Sequence, residues 1–247
     1  MNVRLLIVMM VAFLAGCETV GGILNNGEGH VIEKTAVNVF IPIDPVVYDE
    51  YFSEPLEFSD GDNSGKVGDS NSDWLSVFPV SAVDVSVGQI TSEYGLTFPF
   101  ATLSTENGKY LVTVDYTKYR TDTVEGDGDS HVIAKSGVGV RLKASIVSNE
   151  AGVNLSSIYG IGLAAKRGEV TGTLYFEVIG IHGSVIDALI PVPSELSMES
   201  IQSAMQSIAA IKSKMYDTNE VYINPTVFAE KTVSKVNKDK SNTARPN

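Results

Sequence analysis

Cysteine occurs once in this chain of 247 residues, at Cys17, so no disulfide can form within it. Histidine occurs three times, at His30, His131 and His182, and tryptophan once, at Trp74. Basic residues are also scarce. Lys and Arg total 18 against 30 Asp and Glu, a formal net charge of −12. That balance argues against nucleic-acid binding, which needs a basic footprint. It equally argues against docking on anionic lipid through surface charge. The Gly-x-Ser-x-Gly elbow, the His-Glu-x-x-His zinc motif and the glycine-rich phosphate loop are missing, so the usual hydrolase and nucleotide sites have no sequence basis. No repeat recurs at a solenoid period. The apolar run from Leu5 to Gly16 covers 12 residues, short of the roughly 20 that a spanning helix needs.

Hydrophobic residues make up 43% of the chain and charged residues 19%, a globular balance. Arg4, the apolar run and the small residues ahead of Cys17 have the layout of a secretory signal peptide. The ending Leu14-Ala15-Gly16-Cys17 resembles the lipobox of bacterial lipoproteins. That resemblance implies cleavage before Cys17, a diacylglycerol thioether on its sulfur and acylation of the new N-terminus. Several acyl chains anchor stably where one binds marginally. With Cys17 acylated, no thiol remains as a nucleophile or metal ligand. Glu18, rather than Asp, follows the cysteine, which by the family's sorting habit points to the outer membrane, facing periplasm or cell surface.

The resulting division is a signal peptide at 1–16, a lipidated flexible tether at 17–30, a single β-rich domain at 31–229 and a disordered basic tail at 230–247. Gly21, Gly22, Asn25, Asn26, Gly27 and Gly29 supply the tether's flexibility. Val37, Val39, Ile41 and Ile43 alternate as a strand over 36–43, which Pro42 and Pro45 end or place on an edge. Residues 57–73 read as a long polar loop. From Val83 to Ile181 the pattern predicts successive antiparallel strands. Val83, Val85 and Val87 alternate with Asp84, Ser86 and Gly88. Tyr110, Val112, Val114 and Tyr116 share one face, and Val138, Val140, Leu142, Ala144 and Ile146 another. Asn107-Gly108 is a hairpin signal. Arg167-Gly168 reads as a turn between strand-like 157–165 and Val170–Ile181. Ser197 caps a predicted helix at about 197–216, with Ile201, Ala204, Met205, Ile208, Ile211 and Met215 in one stripe. A final extended segment, 221–228, is interrupted by Pro225. The expected fold class is α+β, mostly antiparallel sheet (sandwich or barrel-like meander), with one C-terminal amphipathic helix.

Candidate chemistry is sparse. Asp60, Asp62, Ser64 and Gly65 match positions 1, 3, 5 and 6 of a calcium loop, but position 12 is Asn71 instead of a bidentate Glu. Asp127 and Asp129 form a second Asp-x-Asp turn. Turn chemistry alone accounts for both, so no metal site, cofactor or catalytic residue is assigned. Cys17 is the one assigned site, for lipid attachment. The stripe from Ile201 to Met215 also fits heptad positions, although packing on its own sheet explains it better. The alternating strands between Gly137 and Ile181 allow a pore-forming reading, without an aromatic girdle to support it. The expectation is therefore a non-enzymatic subunit of a cell-envelope assembly, anchored by lipid, with a protein partner or self-assembly and no nucleic acid. The alternatives are a ligand- or calcium-binding module and a ring-forming subunit of an outer-membrane pore or secretion complex.

Overall fold

The computed structural model describes residues 21–24, 32–35, 39–54, 56–60, 63–66, 70–91, 95–98, 107–125, 130–217 and 219–234. In chain order, strand β1 (Gly21–Leu24) pairs with β2 (Ile32–Thr35), and β3 (Ile41–Val47) runs straight into a short helix, α1 (Tyr48–Phe52). A small hairpin of β4 (Glu57–Asp60) and β5 (Asn63–Lys66) precedes helix α2 (Asn71–Ser76). Four strands follow: β6 (Val80–Thr91), β7 (Gly95–Thr97), β8 (Gly108–Glu125) and β9 (Ser130–Ser148). Helix α3 (Ile158–Lys166) leads into β10 (Val170–Ile179), β11 (Ile181–His182) and a helical turn, α4 (Ser184–Asp187). Then come β12 (Ser194–Glu195), helix α5 (Met198–Lys214), β13 (Tyr222–Ile223) and β14 (Thr226–Ser234).

Eight of these strands form one antiparallel sheet in the order β12-β10-β9-β8-β6-β7, with β14 on β9 and β3 on β14. The fold is thus α+β and mostly antiparallel, with the main sheet curled into a half-barrel. The spine is the β8–β9 pair, in register from Gly108↔Ser148 to Glu125↔His131. Neither strand contains proline, and β-branched and aromatic residues recur along both, which suits a long pleated ladder. The other edge of β9 serves two partners. Its first half, Ser130 to Gly137, carries β14, and its second half, Gly139 to Ser148, carries β10. The changeover coincides with two glycines. A Cβ at Gly137 would lie 2.1 Å from the Lys118 carbonyl oxygen, and one at Gly139 2.2 Å from that of Tyr116. Only glycine permits so close an approach of β9 to β8 at the bend.

One face of the sheet is covered by helices. Val112 and Val114 of β8, Leu142, Ala144 and Ile146 of β9 and Leu174 of β10 pack against Ile158, Ile161 and Ala164 of α3 and Ile201 and Ala204 of α5. Each such large side chain contributes about 1.5–3 kcal/mol by leaving water. Further along the same face, Val138 and Val140 meet Ile211 and Met215, with Leu75, Phe78, Ile186 and Val221 completing that end. Helix α5 therefore lies across both clusters. It starts where the sequence predicts: Ser197 Oγ accepts from the Ser200 N–H and Ser200 Oγ accepts from the Ser197 N–H, a reciprocal cap. Its heptad-compatible stripe is spent on its own sheet.

Several expectations are corrected. Residues 157–165 are not a strand. Ser157 caps α3, whose Ile158, Ile161 and Ala164 recur at helical spacing on a buried face. The polar stretch 57–73 contains the β4–β5 hairpin and the start of α2. Asn107-Gly108 joins no hairpin, because β7 and β8 both pair with β6, on opposite edges. Of the strand expected over 36–43, residues 36–38 lie outside the described residues; β3 runs from Ile41 to Val47, with Pro42 and Pro45 within it, on the sheet's margin as prolines require. The tail assigned to 230–247 starts inside β14, which runs to Ser234. Part of the assigned tether, Gly21–Leu24, is paired strand. The described residues hold five helical segments where one was expected, α5 being the longest. Pro225 does separate two strands, β13 and β14.

Candidate functional site

Opposite the helices, one cross-strand row is made of charge. Asp84 of β6, Asp115 of β8, Arg141 of β9 and Glu177 of β10 are consecutive neighbours in register. Among the described residues Arg141 is the largest fully buried side chain, 1% exposed. Its Nε donates to Asp115 Oδ1 at 2.7 Å and its Nη2 to Asp115 Oδ2 at 2.8 Å, a two-pronged pair. Nη2 also donates to the Phe228 carbonyl at 2.7 Å, and Nη1 to the Ile43 carbonyl. Both carbonyls come from irregular backbone. The β14 register shifts between Val227 and Ala229, which leaves Phe228 as an extra residue, and the same shift breaks the β3–β14 ladder around Ile43. Such bulges leave backbone groups without a ladder partner, and here the guanidinium takes them up. Arg141 thereby ties β8, β14 and β3 together and closes the half-barrel over its polar face.

Burial pushes the Asp115 carboxyl above its ordinary range, and the Arg141 guanidinium opposes that rise without overcoming it. Around this pair, Lys135 Nζ donates to Asp84 Oδ2 at 2.8 Å and sits 4.4 Å over the Tyr119 ring and 4.5 Å over that of Phe40. Lys143 Nζ lies 2.9 Å from Glu177 Oε2 and 3.2 Å from Asp44 Oδ1. With its donors spent on Asp115 and two carbonyls, Arg141 belongs to the architecture. The row has the composition of a catalytic site but is arranged as a staple.

The sequence-predicted residues fall elsewhere. Cys17 and the whole segment 1–16 lie outside the described residues, as do His30, Asp62, Asp127 and Asp129. Asp60 and Ser64 stand on the two strands of the β4–β5 hairpin. Asn71, the twelfth position of the calcium-loop match, is buried at the start of α2. Its Nδ2 donates to the carbonyls of Met215 at 3.0 Å, Val221 at 2.9 Å and Asp217 at 3.3 Å. Its amide N–H groups thus clamp the segment that follows α5 onto the start of α2. Among the described residues no group of three or more His, Cys, Asp and Glu could hold a metal ion. His131 is in β9 opposite Glu125, while His182 in β11 stacks on Tyr222 with ring centroids 5.1 Å apart.

The clefts offer no stronger chemistry. One, of about 350 Å³, lies between the Glu150–Asn154 turn and α3, where Arg167 is already paired with Glu169. Another, of about 340 Å³, lies between β10, Pro191, Val192 and α5.

An unpaired backbone edge is the more informative feature. β8 pairs β6 from Val80 to Ile90 on one side, whereas β7 covers only Gln89, Ile90 and Thr91 on the other. Among the described residues nothing pairs with the outer edge of Val80–Gly88. Val87 and Gly88 are buried, with Leu96 and Phe98 next to Gly88, so the accessible part is Val80–Ser86. Along it Val80 is 41% exposed, Val83 58% and Val85 39%. Val83 and Val85 share their face with Tyr116, which lies opposite Val83 in register. The Tyr116 phenol is raised by burial and by the nearby Tyr159, which is exposed on α3 one turn before the equally exposed Leu163. The edge thus adjoins an apolar strip. Sequence alternation locates β6 as a strand; it carries no information on which of its two edges is filled. No known protein family, curated protein or solved structure matches this chain.

Proposed function

We propose that this protein is an outer-membrane-anchored lipoprotein that serves as an interaction subunit of a cell-envelope assembly, and that it acts by strand pairing at the open edge of β6. The observation that carries the reading is the run Val80–Ser86, accessible along one backbone edge and carrying the exposed Val83 and Val85. Unpaired N–H and C=O groups in a row are a template for another chain, and added strands gain main-chain hydrogen bonds while side-chain pockets set specificity. Leu14-Ala15-Gly16-Cys17 supports the anchoring half, since a lipid at Cys17 would hold the domain at a membrane surface.

The two halves are tested separately. Cys17→Ala should move the protein from the membrane to the soluble fraction without altering its circular dichroism; an unchanged membrane fraction sinks the anchor. A photo-reactive amino acid at Val85, irradiated in cells, should trap a discrete protein adduct, whereas the same group at Val192, exposed on the Pro191–Pro193 segment, should trap little. Equal yields at both positions, or none at Val85, would remove the edge as an interaction site.

The ring-forming reading gains less from the same geometry. Head-to-tail closure needs a second open edge of comparable length. Among the described residues the margin at β3 carries Pro42 and Pro45, and β12 covers β10 at Thr173 and Leu174, which leaves the shorter run Tyr175–Ile179 as the other open edge.

A further inference from the structure

We infer that the strand filling the β6 edge is β6 of a second copy, paired antiparallel about a two-fold axis through Val83. This rests on the reading of β6 as the interaction edge and names its occupant. The margins of the sheet differ in how they are guarded. Native proteins blunt exposed edges with proline, lysine or short strands. β3 carries two prolines, and β7 is three residues long. The run Val80-Ser81-Ala82-Val83-Asp84-Val85-Ser86 has no proline and no cation, and its one charge, Asp84, is drawn to Lys135 of its own chain at 2.8 Å.

The run is also self-complementary. A two-fold axis perpendicular to a sheet brings side chains on the same face opposite one another. Val83 is the midpoint of the accessible run and the most exposed of its valines. Centring there sets Val83 against Val83 of the second copy, Val85 against Ser81, Asp84 against Ala82 and Val80 against Ser86. No charge meets a like charge. Centring one residue later would set Asp84 against Asp84, which cross-strand repulsion disfavours. Centring one residue earlier would push Val85 onto Pro79, which has no N–H to give. In the favoured register the exposed strips of the two copies join, and the paired valines cover apolar surface that is wet in one copy alone.

The test uses the full chain carrying Cys17→Ala, so that an added thiol is unique. Mild oxidation of Val83→Cys should convert most of the protein to a covalent pair, since two facing residues at the axis meet directly. Tyr222→Cys, exposed in β13 on another sheet, should convert at least tenfold more slowly. Native mass by light scattering should be that of two chains for the parent. For Val83→Lys it should be that of one chain, with unchanged circular dichroism. A parent of single-chain mass, or equal cross-linking at both positions, overturns the two-fold pairing. If those results coincide with a heterologous adduct at Val85 in cells, the edge remains an interaction site with a different occupant. If Val85 traps nothing as well, both readings fall together.

Discussion

Arg141→Met removes a fully buried guanidinium and leaves Asp115 without its partner. Methionine nearly matches the length of the arginine stem, so the change is mainly one of charge and hydrogen bonding. Breaking a buried ion pair from one side costs about 3–5 kcal/mol, because the remaining charge stays desolvated. The Phe228 and Ile43 carbonyls also lose their donor. At the few degrees per kcal/mol expected for a domain of this size, Tm should fall by roughly 6–20 °C. The double variant Asp115→Leu with Arg141→Met should regain part of that loss, since no charge is left behind. It should still fall short of the parent by about 1–3 kcal/mol for the orphaned carbonyls. Urea melts of the parent, the single variant and the double variant close the cycle. A single-variant loss under about 1 kcal/mol would refute the staple, and so would a double variant weaker than the single one.

Three more outcomes follow from other contacts. Asn71→Ala should cost about 1–3 kcal/mol in urea melts, because three carbonyls at the end of α5 lose one buried donor; a change within 0.5 kcal/mol, the ordinary surface range, would mean water replaces it. Burial raises the Tyr48 phenol from 10.0 to about 12, with Asp122 adding to the rise. The fold favours the neutral phenol, so its contribution is intact below pH 10 and is lost as pH rises through about 12; Tyr48→Phe should therefore lose less stability than the parent across that window in guanidinium melts. Gly108→Ala should change stability by less than about 0.5 kcal/mol, since Gly108 is not among the positive-φ glycines and its nearest neighbour would be Tyr110 at 3.5 Å; a loss above about 1 kcal/mol would restore the tight-turn reading of Asn107-Gly108.

What the sequence discloses here divides by range. Alternation along β8, β9 and β10 depends on neighbours two residues apart, and it is legible without the fold. The α5 start is legible for a similar reason, because a reciprocal cap spans only Ser197 to Ser200. Helix α3 is not. Ile-Tyr-Gly-Ile-Gly-Leu offers β-branched and glycine residues that disfavour a helix locally, and the helix is secured by packing. Gly162 lies so close to Met198 and Ile201 of α5 that a Cβ would stand 3.1 and 2.9 Å from them. Partner choice is harder still. Nothing local tells β7 to pair β6 instead of β8, and that choice removes the expected hairpin.

The charged row shows how the two ranges combine. Arg141, Lys143 and Ser145 alternate with apolar residues, which reads as a half-buried strand with a wet polar face. In the fold that face is closed at Arg141 by β14 and β3, whose bulges present Phe228 and Ile43 to the guanidinium. Those bulges arise from pairings between residues far apart in the chain. A cation that alternation assigns to solvent is therefore the largest fully buried side chain among the described residues. β6 is the converse case: its valines alternate as the apolar face of a strand, yet Val83 is among the most exposed apolar residues. Strand order decides both. β14 and β3 seal the side of the sheet where the Arg141 donors are taken up, and among the described residues no later strand pairs with the outer edge of Val80–Gly88. The unguarded edge is where a second chain has room to do so.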